Sequence, residues 1–294
     1  MTQTEKQKMM LTAPVEGLIC RMAVPTIISM LITALYNMAD TYFVGKLGSN
    51  AATGAVGVAL PLMAIIQATG FFFGHGSGNS ISRHLGAGDV EDAEKLAACG
   101  FAGAIGTGLI ICVLGQLLIE PLARLLGSTA TILPYAKEYM RYILFAAPYM
   151  TAALVLNNQL RLQGNANFAM IGITSGAVLN VALDPLFIFT FNMGVAGAAA
   201  ATALSQLVSF VILLWALRRA GCVPLRFRYV RCMPSVIGQI FGGGLPSLVR
   251  QGLGVTILPE MSLETADSGV SVRPLSPPMQ RTVGILLPRR STAL

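Results

Sequence analysis

Charge is scarce in this chain. Only 11% of its 294 residues are Asp, Glu, Lys or Arg, against about 25% in soluble domains. With 54% hydrophobic residues and a mean hydropathy of +0.68, it lacks the polar surface that a water-soluble fold requires. Aromatic residues are also few, at 7%, whereas the 31 glycines suit closely packed membrane helices. The five cysteines (Cys20, Cys99, Cys112, Cys222, Cys232) have no metal-binding or redox spacing, and four fall in or near apolar helices, where they read as small buried thiols. No cleavable signal peptide is evident, because the first residues are polar, with Lys6 and Lys8. No nucleophile–base constellation and no metal motif is found, so the chain reads as a non-enzyme. The glycine-rich stretch 74–78 has no strand before it and no Lys-Ser/Thr after it, which excludes a phosphate loop.

What is present is a series of uncharged runs, at 22–39, 47–82, 96–119, 142–160, 162–183, 185–217 and 232–249. A helix crosses the hydrocarbon core in about 20 residues. The runs predict six transmembrane helices near 22–44, 53–77, 96–119, 139–161, 168–190 and 195–217, with a seventh beginning near 235. The connections set the orientation. With the N-terminus inside, eleven Lys and Arg fall on inner segments, including Arg161 and the basic run 218–231. Four (Lys46, Arg124, Lys137, Arg141) fall outside. The expectation is a multi-pass protein of a bacterial or archaeal cell membrane with a cytoplasmic N-terminus. The run 218–231 reads as a topology anchor or lipid contact beside a membrane helix, and no nucleic-acid partner is expected.

Two acids interrupt the apolar runs. Asp40 and Asp184 each lie one helical turn from a polar residue, Tyr36 and Asn180 respectively. A carboxylate at membrane depth costs roughly 2.5–3.5 kcal/mol on insertion scales, so such residues persist mainly where they face a polar cavity and bind something. The pattern points to a cation or proton site inside a helical bundle. The alternative is a structural pair hydrogen-bonded across helices. Pro25, Pro61, Pro148 and Pro185 are hinges or simply prolines that membrane helices tolerate. His75 reads as a packed or lumenal polar spot rather than a ligand. An echo at an offset of 221 pairs Pro25 in its apolar run with Pro246 in another, suggesting the start of a second, parallel six-helix half.

These residues carry a resemblance. Pro25 through Tyr36-Asn-Met-Ala-Asp40 to Gly48 resembles the first helix of the multidrug and toxic compound extrusion (MATE) family. Gly76 to Asp89, Asn157 to Asn165, Leu179-Asn180 to Phe187, Gly197 to Gln206 and Gly244 to Gly252 resemble later segments in order. The pattern is most similar to the DinF-like branch and covers about residues 10–252. The resemblance implies an all-α membrane fold, one six-helix lobe of a two-lobed transporter that exports organic cations and drug-like compounds in exchange for Na+ or H+. By motif position it implies cation binding by Asp40, Asn180, Asp184 and Thr202, with Tyr36, Asn37 and Asn157 along the substrate path. Two carboxylates with amide and hydroxyl oxygens are hard ligands, and two acids brought close in low dielectric disfavour one another's charge, which suits proton exchange. No cofactor is implied beyond the coupling ion. Partners are the bilayer, the substrate, and either a second copy of the chain or a separate second lobe.

Past residue 252 that pattern fails. Residues 252–294 hold five of the 15 prolines and alternate like short strands. Gly252 to Met261, Val272 to Leu275 and Arg281 to Ile285 resemble the C-terminal end of a LysR-type regulator's effector-binding domain. The domains expected are therefore a six-helix lobe at 1–219, a basic cytoplasmic linker with the start of a seventh helix at 220–251, and a foreign or disordered tail at 252–294. The junction near Arg250–Gly254 points to a truncated transporter in a fused or misjoined reading frame. The alternative reading is a membrane protein or fragment without independent activity.

Overall fold

The computed structural model describes residues 15–226, 228 and 234–252. All but one residue of the tail expected over 252–294 lies outside them. The helices are α1 (Val15–Gly45), α2 (Asn50–Ala87), α3 (Val90–Leu117), α4 (Ile119–Leu125), α5 (Leu133–Leu162), α6 (Ala166–Pro185), α7 (Gly194–Arg219) and α8 (Pro234–Gly252). A π-helical turn, Leu186–Thr190, continues α6. No strand occurs among the described residues. Six helices are long and apolar enough to cross a membrane: Ala23–Gly45, Asn50–Ala87, Val90–Leu117, Leu133–Leu162, Ala166–Thr190 and Gly194–Arg219. This is the six-helix, all-α membrane bundle expected, and α8 starts where a seventh helix was expected.

α5 is the central helix, packed against α2, α3, α6 and α7. Its most apolar window is 67% buried, whereas that of α1 is 18% buried. Tyr139, Ile143, Leu144 and Ala147 of α5 meet Ala55, Ala59, Leu62 and Ile66 of α2 in the main core. Of the cysteines whose side chains are described, Cys99 and Cys222 are buried, and Cys112 is half-buried.

The helices outrun the apolar runs, each for a local reason. α2 continues ten residues past 77 through its glycines. A Cβ on Gly70 would stand 2.6 Å from Leu154 Cδ1, one on Gly74 2.7 Å from Asn158 Nδ2, and one on Gly78 2.6 Å from Leu162 Cδ1. Glycine at every fourth position therefore opposes every fourth residue of α5. Close packing offsets the helix penalty of about 0.5–1 kcal/mol per glycine. Ser82 Oγ also donates to Leu162 O at 2.6 Å. α2 stops at Gly88, whose φ of 83° lies in the left-handed region. Asp89 then caps α3, accepting from Asp92 N at 3.2 Å, and Lys95 holds Asp92 at 2.8 Å and Glu91 at 3.1 Å. The charged first turn of α3 is thus helix, though it reads as a connection by hydropathy.

The other missed element is α4, whose Glu120 receives Arg124 at 3.0 Å and Lys137 of α5 at 2.9 Å. Hydrogen bonds from Lys137 and Arg124 hold the Glu120 carboxyl below its ordinary range. A carboxylate depressed in the folded state contributes stability above its unfolded pKa, and loses it as pH falls through the folded value. Glu120→Gln is therefore expected to melt slightly below the parent at neutral pH, and the gap should close in acid. Thermal unfolding in detergent at two pH values checks this.

Candidate cation site

The site grows from the seam between α6 and α7. Ser209 Oγ donates to Gly172 O at 2.9 Å, and a Cβ on Gly176 would lie 2.8 Å from Ser209 Cβ, so the two helices approach closely. A Cβ on Gly197 would lie 2.7 Å from Phe187 O, which seats the π-turn against the start of α7. Between these contacts, Asn180 Nδ2 lies 3.3 Å from Asp184 Oδ1 and 3.3 Å from Thr202 Oγ1. The three side chains form one bonded group, 1%, 0% and 2% exposed respectively.

α1 brings Asp40 to this group. Its side chain is half-buried and close enough to Asp184 for the two carboxylates to interact electrostatically. Tyr36 is buried in the same field, one turn earlier. The shared helix face holds as expected, but no hydrogen bond joins Tyr36 to Asp40. α5 adds Tyr139, fully buried and within electrostatic reach of Asp40, Tyr36 and Asp184. Sequence reasoning missed Tyr139, because it stands near a helix start among charged residues and carries no buried charge of its own to mark it.

Four buried oxygens in this cluster have no hydrogen-bond partner among the described residues: Asp40 Oδ1, Asn180 Oδ1, Asp184 Oδ2 and Tyr139 Oη. Leaving such groups unpaired costs roughly 1–3 kcal/mol each. All are hard oxygen donors, so the set fits a small hard cation or a shared proton.

Beside the cluster lie two adjoining spaces. One, of about 440 Å³, is lined by Thr33, Gln67, His75, Asn157 and Arg161 among others. A smaller one, of about 80 Å³, shares Thr33 and Gln67 with it and reaches Tyr36. Asn157 lines the first while donating to Ala169 O at 3.1 Å, and so also ties α5 to α6. His75 stacks on Phe71 with ring centroids 5.3 Å apart and lies 3.4 Å from Arg161. The side chain of Asn37 lies outside the described residues.

Fold and site together define a multi-pass, all-helical membrane lobe with a buried cluster of oxygen donors among α1, α5, α6 and α7. The family model MatE matches residues 25–186, and the chain belongs to that family of transporters. It is 31% identical over 236 residues to "Multidrug export protein MepA" of Staphylococcus saprophyticus, a stretch that covers 80% of this chain and 52% of that protein. A MATE crystallised in complex with MaD3S superposes with a TM-score of 0.78 at 32% identity, covering 83% of this chain and 55% of the other. A multidrug resistance MATE family transporter in an outward-facing conformation gives 0.72 at 33% identity, with coverage of 80% and 52%. The chain spans about half the length of the curated relatives it matches.

Proposed function

We propose that this chain is the cation-binding lobe of a transporter that exports organic, drug-like compounds in exchange for Na+ or H+. The convergence of unpartnered buried oxygens from Asp40, Asn180 and Asp184 carries the reading. Thr202 completes the donor group through Asn180, while Tyr36 and Asn157 line the space beside it for the organic substrate. Asn37 remains a candidate on the same path by its position in the sequence. The lobe acts by binding and release rather than as an enzyme. We place the N-terminus in the cytoplasm of a bacterial or archaeal cell, and the sequence in the DinF-like branch. Residues 220–251 serve as a basic linker leading into the seventh helix, and 252–294 as a separate segment resembling a LysR-type effector-domain end.

Alternating access takes two units that rock about a site between them. A six-helix lobe therefore transports only with a second one, either a parallel second copy of the chain or another polypeptide segment. A membrane protein with no transport of its own is the competing reading, favoured by the same lone lobe.

Two measurements separate these. Purified chain should melt at a higher temperature in Na+ than in choline, or at lower pH, because a ligand that binds only the folded state stabilises it. Cells making this chain alone should export ethidium only if it self-associates. Na+- or H+-driven export by a demonstrated monomer would refute the need for a second lobe, and melting indifferent to both ions would refute the cation site.

A further inference from the structure

A cavity of about 530 Å³ opens between α3 and α7. It shares no residue with the cation cluster or with the spaces beside it. Phe101 and Ile105 of α3 and Phe210, Leu214 and Leu217 of α7 wall it, and Cys222, Pro224 and Leu225 complete its lining with Arg218. Phe101 and Phe210 stack at 6.4 Å with ring planes 7° apart, giving a flat apolar wall. The one charged lining residue is Arg218, in the last turn of α7. Arg218 has no acidic partner among the described residues, whereas Arg226 of the following loop lies 3.4 Å from Glu94. Arg219 is placed over the Trp215 ring at 5.3 Å, and Trp215 is exposed beside them.

The vertical order of these groups matches a phospholipid. From Arg218 at the helix end, the apolar wall descends to Phe210, about 12 Å along the axis at 1.5 Å per residue. An unpaired guanidinium presents a planar fork that suits a phosphate. Tryptophan belongs at headgroup depth. A soluble ligand would need polar groups along the cavity to orient it, and between Phe210 and Leu217 the lining side chains are apolar.

We infer that this cavity is a binding site for an anionic phospholipid, with one acyl chain between α3 and α7 and its phosphate on Arg218. The site is independent of the transport reading and would survive its failure.

Trp215 is the chain's single tryptophan and lies on α7 three residues before Arg218, exposed outside the cavity. Its fluorescence therefore reports lipid beside this stretch of α7, and the cavity's share is the part that L214F removes. The full chain is reconstituted in nanodiscs of phosphatidylcholine and phosphatidylglycerol, with bromine on the acyl chains of one lipid at a time. Brominated phosphatidylglycerol should quench Trp215 more than brominated phosphatidylcholine at equal mole fraction. R218Q should reduce that preference about fivefold, the effect of one basic residue near an anionic surface. R218K should retain most of it, and L214F, which fills the cavity, should abolish it. Comparing the two lipids within each variant removes any change in baseline. Equal quenching by both lipids in the parent chain overturns the proposal without any variant having to fold. A preference that falls with R218Q but survives L214F overturns it too, since it would reflect surface attraction without a seat for the chain.

Discussion

Gly108→Ala is expected to cost about 1–3 kcal/mol, and more if the helices cannot shift. The added Cβ would stand 2.7 Å from Pro148 Cα, 2.6 Å from Thr151 Oγ1 and 3.1 Å from Ala147 O. Two of these are backbone atoms of the central helix, so no rotamer change relieves them. The third belongs to a fully buried hydroxyl that lies 3.0 Å from Ala104 O and helps bond α5 to α3. Displacing Thr151 would expose that bond's partners to apolar surroundings. Gly78 of α2 differs, because it faces the end of the Leu162 side chain, which can rotate away, whereas Gly70 also meets Leu154 Cβ at 2.7 Å and Gly76 meets the backbone of Ile240. Gly106 supplies the control on the same helix. A Cβ there meets nothing within 4 Å, so Gly106→Ala should be neutral or stabilise by about 0.5–1 kcal/mol. Thermal unfolding of the two variants side by side decides the matter, and equal melting temperatures would remove the steric argument.

Asp40→Asn and Asp184→Asn should each abolish the ion-linked part of stability. At an ion concentration a hundredfold above its dissociation constant, the parent gains about 2.7 kcal/mol over its ion-free form. Either variant should melt at one temperature regardless of Na+, and should lose the part of the pH dependence that belongs to this site, because only half of a two-carboxylate site remains. Asn180→Ala should weaken the response without erasing it, since it removes the side chain that spans Asp184 and Thr202 but leaves both acids. The sign of the pH effect identifies the ion. Protection by a proton grows as pH falls, whereas protection by Na+ grows as pH rises and protons cease to compete. If the acids only hold helices together, the Asn variants will lower the ion-free melting temperature and leave the ion response of the parent unmatched by any loss. That outcome would return Asp40 and Asp184 to a structural role.

The membrane class and the six spans were legible because hydropathy acts over long windows and tolerates local exceptions. Helix ends were not, since they depend on capping and neighbours. The first turn of α3 is charged but helical because Asp89 caps it and Lys95 pairs with Asp92. Past residue 77 α2 stays packed as helix because Gly78 fits against Leu162 of α5 and Ser82 bonds Leu162 O, a tertiary reason that no local propensity contains. α4 is too short to show a period. In the site, the spacing of Asn180 and Asp184 translated directly into a hydrogen bond, because both sit on one helix. That of Tyr36 and Asp40 gave only a shared face. Contributions from other helices, Tyr139 above all, depend on how helices pack, which local spacing along the chain does not display.

The uneven burial of the helices has a mechanical consequence. Asn180, Asp184 and Thr202 belong to α6 and α7, which are locked by the Ser209–Gly172 bond and by glycine contacts. Asp40 belongs to α1, the least enclosed of the six spans. On the proposed reading, an ion held by both acids would act as a removable bolt between a loosely enclosed strut and a fixed frame. Withdrawing it would release one rod of the bundle while the frame kept its shape.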